Sequence, residues 1–170
     1  ALDAVLVSSF NGFGHFRRIF TYAEELMLRG YRVHVVGSEL QFARQFGASQ
    51  PSQYRDLIVH IFRRPLGLDG PQWGNPAEQL FDSPTRELSS AIEKAQLVIS
   101  DNSLWPARYT ENLILAGQFV WPNYWRSRGL LEQLGPFPLP KVWVQNPQFG
   151  ESPGLLHKVR RVGTRLPAKE

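Results

Sequence analysis

The chain opens on a pattern that few folds accommodate. An apolar run, Val5-Leu6-Val7, stops at a glycine-rich turn, Asn11-Gly12-Phe13-Gly14-His15, and apolar residues in helical steps follow at once. Ile19, Tyr22, Ala23, Leu26 and Met27 recur at three- and four-residue spacing, so they share one helix face, and Arg29-Gly30 closes the pattern as helix ends do. The β-branched run over 31–37 then reads as a second strand. Two strands joined through a helix lie parallel, which makes residues 3–37 a strand-helix-strand unit with a tight turn after its first strand.

The alternation continues. The spacing predicts a helix over 39–46, a strand over 56–62, and a helix that Ser83 or Thr85 caps and that runs to Ala95. A strand over 96–100 delivers Asp101 at its carboxyl end; a helix over 106–116, a strand over 118–121, a helix over 126–134 and strands over 141–145 and 159–162 follow. Residues 65–84, rich in Pro and Gly, form a loop or a partly helical insert. The expected fold class is α/β: a Rossmann-like, doubly wound, mostly parallel sheet flanked by helices in three layers. A chain of 170 residues with 42% hydrophobic content fits one such domain, and ligands of this architecture sit outside the carboxyl ends of the strands.

Composition removes several kinds of chemistry. Without Cys there is no disulfide framework, thiolate zinc site or cysteine nucleophile, and the chain suits a reducing compartment, with the cytoplasm as the expected location. No run approaches the roughly 20 apolar residues that span a bilayer, so a soluble domain is expected. The net charge of +4 is spread over small groups, Arg17-Arg18, Arg63-Arg64, Arg126 with Arg128, and Lys158 with Arg160-Arg161, which favour phosphates or anionic headgroups. Dispersed in this way and without a recognition motif, they do not read as a nucleic-acid surface.

Two loops at carboxyl ends of predicted strands carry polar residues, Asn11 to His15 and Asp101 to Ser103, and the winding of the sheet puts both on one edge. Gly12 and Gly14 let a ligand approach the backbone, and the helix that follows favours anions at its start. A cation there works against the helix dipole, so one of Arg17 and Arg18 is expected to have an anionic partner, a phosphate or a carboxylate. A dinucleotide fingerprint fits poorly, because Arg17 stands where Gly or Ala is needed and Glu39 falls late for the ribose contact. There is no Walker loop, no G-x-S-x-G elbow and no metal-ligand spacing. His15, at the mouth of the turn, can accept a proton from a hydroxyl. Asp101 either orients that imidazole or caps the helix after Ser103. His34, His60 and His157 read as structural.

The run Ser9-Phe10-Asn11-Gly12-Phe13-Gly14-His15-Phe16-Arg17-Arg18, with Ala23-Glu24-Glu25-Leu26 and Arg29-Gly30-Tyr31-Arg32-Val33, resembles the start of GT-B glycosyltransferases. The nearest likeness is to the bacterial and archaeal group with a G-x-G-H-x-x-R loop, shared in outline with the lipid II-forming N-acetylglucosaminyltransferase and the nucleotide-sugar hydrolase of pseudaminic acid synthesis. Asp101-Asn102-Ser103-Leu104-Trp105 is similar to the D-x-x-x-W stretch of plant-type and antibiotic-type members, where the aspartate pairs with the loop histidine. Val162-Gly163-Thr164-Arg165-Leu166-Pro167 resembles the last strand of the N-terminal domain entering the linker.

The resemblance implies an N-terminal, acceptor-side domain over 1–164 and the start of an interdomain linker over 165–170, with a donor-binding C-terminal domain on the same or a separate chain. It implies hexosyl or N-acetylhexosaminyl transfer, with inversion, from a nucleoside diphosphate sugar (a UDP-sugar first) to an acceptor hydroxyl, without metal or tightly held cofactor. His15 and Asp101 would be catalytic; Asn11, Gly12, Phe13, Gly14 and Arg17 would face the donor; Trp105, Asn123, Tyr124 and Trp125 would line the acceptor side. Aromatic faces there, with Trp73 and the basic groups, also suit peripheral contact with a membrane, whereas Trp143 reads as core. Alone, the chain is expected to be inactive, because the missing domain supplies most of the donor binding. A nucleotide-sugar hydrolase of similar fold and a non-catalytic Rossmann binding domain are the alternatives.

Overall fold

Both faces of the first strand are covered, which is why its apolar residues run on without alternation. In the computed structural model, which describes residues 2–9, 13–62, 84–101, 103–117, 142–145 and 160–161, strand β1 (Asp3–Ser8) has no exposed surface from Ala4 to Val7. It is joined by β2 (Arg32–Ser38), β3 (Ile58–Phe62), β4 (Leu97–Asp101), β5 (Leu113–Gly117), β6 (Val142–Gln145) and β7 (Arg160–Arg161). The seven strands lie in the order β3-β2-β1-β4-β5-β6-β7 and each ladder is parallel. This is the doubly wound α/β architecture that the alternation predicts.

Helix α1 (Phe13–Leu28) lays Phe16, Ile19, Phe20, Ala23 and Leu26 on Ala4, Leu6, Val33, Val35 and Ile99, all in one core cluster. Side chains of a strand alternate, so Val5 and Val7 face the other way; α3 (Arg86–Lys94), whose Leu88 and Ile92 are buried, packs against β1. The helix ends follow local chemistry. Gly30 takes a positive φ of 87° and closes α1 with Gly30 N donating to Met27 O (3.0 Å) and Tyr31 N to Leu26 O (3.0 Å), the paired bonds of a Schellman end. Helix α2 (Glu39–Phe46) starts with a reciprocal capping box between Ser38 and Gln41, and Thr85 caps α3 by accepting from Leu88 N.

The region after Asp101 departs from expectation. The helix predicted over 106–116 is instead a short 3-10 turn, Trp105–Arg108, followed by strand β5 from Leu113; the strand expected over 118–121 lies outside the described residues. Leu, Ile and Ala serve helices and buried strands equally; pairing with β4, Val98 to Leu113 through Asp101 to Ala116, decides for the strand. The expected helix over 126–134 and the insert from residue 65 to 83 lie outside the described residues. Among those described, no helix is long and apolar enough to cross a membrane.

His34 and His60 satisfy one another across β2 and β3. Their rings stack, 5.1 Å between centroids, with His34 Nδ1 2.9 Å from His60 Nε2, so one nitrogen donates the hydrogen that the other accepts. Burial lowers both imidazoles from their ordinary value, and His60 opposes the charging of His34; Arg32 also lowers His34, while Asp3, 3.9 Å away, raises it and Glu87 raises both. The folded chain therefore binds fewer protons than the unfolded chain below about pH 6.5, the ordinary histidine value. Stability is expected to be flat above that range and to fall as the pH drops through it, read as a declining urea midpoint. The His34→Gln, His60→Gln double variant should flatten that decline.

Candidate functional site

The order of strands reverses direction of winding between β1 and β4, and their carboxyl ends meet there in register, Ser8 beside Asp101. In open parallel sheets ligands bind outside the carboxyl ends of the strands at such a switch point. Asp101 follows Ile99 by two residues, so its side chain emerges on the face that α1 covers. It has no exposed surface, and a carboxylate so placed needs partners.

Helix α1 supplies them. His15 Nδ1 is 2.9 Å from Asp101 Oδ1, and Arg18 Nη1 is 3.2 Å from Oδ2. Residues 15 and 18 lie three apart, on one side of the helix, and Tyr22 continues the stripe. The Tyr22 phenol is pushed up by burial and by the Asp101 carboxylate, and Arg18 offsets part of that. Oδ2 meets Arg18 as an ion pair without the geometry of a well-formed hydrogen bond, so the guanidinium sits off the carboxylate axis. The His15 side chain keeps 24% of its surface exposed and Arg18 30%, while Asp101 keeps none. An imidazole thus stands at the rim with a wholly buried carboxylate behind it.

That geometry sets the tautomer. An ionised carboxylate only accepts, so Nδ1 carries the hydrogen toward Asp101 and Nε2, across the ring, is left with its lone pair. The pair can take a proton at Nε2 and hold the resulting imidazolium against a fixed negative charge.

Neighbouring elements fix the pair in place. Gln41, buried on α2, accepts from Ser38 N (3.0 Å) through Oε1 and donates from Nε2 to Ser9 O (2.9 Å), which ties the exit of β1 to the start of α2. Ser100 Oγ donates to Ser103 O and so fixes the turn after Asp101. Phe16, next to His15, is fully buried and meets Phe20 and Phe42 edge-on at 5.1 and 4.9 Å. It rests on Gly37 of β2, where a Cβ would overlap the ring and stand 3.0 Å from Phe42.

The structure brings His15 and Asp101 together, and the carboxylate orients the imidazole rather than capping a helix: the 3-10 turn that follows has Leu104 at its start and no side-chain cap. Of the two arginines, Arg18 has the anionic partner; Arg17, expected at the ligand, is exposed on the next side of the helix. Both belong to the second turn of α1, because the helix begins at Phe13. Phe13 and Gly14 form its first turn, and no described atom lies within 4 Å of where a Cβ on Gly14 would stand. Trp105, expected on the acceptor side, requires a correction: its ring has no exposed surface and packs edge-on to Tyr109 at 6.3 Å, because the turn after Asp101 folds inward. Asn11, Gly12, Asn123, Tyr124 and Trp125 lie outside the described residues. Sequence reasoning missed Gly37, Gln41 and Tyr22; the first carried a signal, a glycine at the end of a valine-rich strand.

No protein-family model matches the chain, and no curated protein does. Among solved structures it is similar to CalG4, the calicheamicin glycosyltransferase, with a TM-score of 0.52 and 16% identity over 97% of this chain and 53% of that one. The likeness shows the fold, and this chain spans about half the length of the glycosyltransferase it matches.

Proposed function

We propose that this chain is the acceptor-side half of an inverting glycosyltransferase that uses a nucleoside diphosphate sugar, a UDP-sugar first. The observation that carries the reading is the rim imidazole held through Nδ1 by a buried carboxylate at the switch point of the sheet. The similarity to a glycosyltransferase fold over 97% of the chain supports it. His15 Nε2 takes the proton of an acceptor hydroxyl as that oxygen attacks the anomeric carbon. The bond from that carbon to the diphosphate oxygen breaks, and its electron pair leaves with the diphosphate. Asp101 stabilises the imidazolium that results.

The first turn of α1 supports an anionic ligand at this edge. Gly14 stands in the first turn of α1, and no described packing uses its lack of a side chain. A diphosphate approaching the backbone of Phe13 and Gly14, and the helix N-terminus behind them, would use it. The acceptor would rest on the segment that holds Asn123, Tyr124 and Trp125, and a second domain would hold most of the nucleotide.

The test is anomer-resolved. With the complete two-domain enzyme, an α-linked nucleotide sugar and a hydroxyl acceptor, the expected product is the β-glycoside, read by NMR coupling at the anomeric proton. Retention of configuration would overturn the single-displacement reading, and free sugar released at the same rate without acceptor would assign a hydrolase. The isolated 170-residue chain is expected to show negligible turnover.

A further inference from the structure

Asp101 is shared. One oxygen holds His15 and the other faces Arg18, and both partners come from one side of α1. A buried carboxylate left with a single neutral partner would be free to rotate, or to take a proton and become a donor itself. In the second case its hydroxyl would point at Nδ1, the ring hydrogen would move to Nε2, and the lone pair would pass to Nδ1. The permanently charged guanidinium stands against that outcome, because it gives Oδ2 a cation at 3.2 Å whatever the state of the imidazole.

We infer that Arg18 is a positioning residue of the His15–Asp101 pair: by holding Oδ2 of the buried carboxylate, it keeps Oδ1 an acceptor aimed at Nδ1 and so keeps the ring hydrogen off Nε2. This rests on the reading of His15 as the proton acceptor, but it concerns an atom arrangement that exists without substrate. Arg18 touches no reacting atom in this scheme. Arg17, one residue away and exposed, provides the internal control.

The experiment reads the tautomer directly. Long-range nitrogen-proton correlation spectra of the histidine-labelled 170-residue chain are recorded at about pH 8.5, well above the ordinary imidazole range near 6.5, for the parent, Arg18→Met, Arg18→Lys and Arg17→Met. The parent and Arg17→Met should show His15 with its hydrogen on Nδ1. Arg18→Met should move the population toward Nε2–H by at least about tenfold, the scale set by losing a cation 3.2 Å from Oδ2. Arg18→Lys, which keeps the charge but loses the planar fork, should move it by a smaller factor.

A folded Arg18→Met chain with the parent's tautomer overturns the inference. Should Arg18→Met not fold, Arg18→Lys decides, and an unchanged His15 spectrum in that variant overturns it equally. The proton-acceptor reading fails separately: His15→Ala retaining full turnover in the complete enzyme would remove that role while leaving the Arg18 effect on the tautomer intact.

Discussion

Replacing His15 by alanine is expected to lower the turnover of the complete transferase by about 10²- to 10⁴-fold, the range for loss of a positioned general base, with little change in acceptor affinity. The asymmetry follows from geometry. The side chain keeps 24% of its surface at the rim, so it contributes modest contact area to a bound acceptor, and its large effect arises only when the hydroxyl proton leaves. Initial rates over a range of acceptor concentrations separate the two: kcat should collapse while KM stays within a few-fold. A matching fall in affinity with kcat preserved would instead make His15 a binding residue. Asp101→Asn should do most of the same damage, because an amide can donate to Nδ1 and so leave the ring hydrogen on the catalytic side. The two losses are then far from additive, since each variant disables the same proton transfer.

The sheet was legible because its strongest signals are periodic and local. The apolar run at Val5-Leu6-Val7, the helical spacing from Ile19 to Met27 and the glycine at position 30 each have one cheap structural solution, and the chain adopts it. The juxtaposition of His15 with Asp101, 86 residues apart, was legible for a different reason: parallel strands send their carboxyl ends to one edge, so residues just past two such ends meet once the strands are neighbours. The 3-10 turn and β5 were misread because Leu113, Ile114, Leu115 and Ala116 satisfy a helix as well as a covered strand, and only pairing with β4 separates the two. Trp105 looked like a stacking surface by residue type, whereas its burial is set by how the chain turns after Asp101. Which arginine would reach the carboxylate needed the start of α1, because a shift of one residue turns a helix by about 100°.

Gly37→Ala is expected to destabilise the fold by about 1–3 kcal/mol, the usual cost of inserting a methyl into a packed core, and to lower the melting temperature by roughly 2–4 °C per kcal/mol for a chain of this size. Gly37 is buried within β2 and its φ lies outside the left-handed region, so the added methyl meets no backbone penalty; it meets the Phe16 ring. Phe16 cannot yield easily, because Phe20 and Phe42 hold it edge-on from two sides and it has no exposed surface. The relaxation that remains is to lift the first turns of α1 away from β2, and those turns carry His15 and Arg18. A second signature is therefore expected beside the lost stability: a loosened His15–Asp101 bond, seen as faster solvent exchange of the His15 Nδ1 hydrogen. Phe16→Leu in the same chain removes the ring atoms that the methyl strikes, so the double variant should recover part of the stability that the two single losses would sum to. Strict additivity in that cycle would mean that Gly37 and Phe16 do not press on each other and that something other than this contact seats the helix.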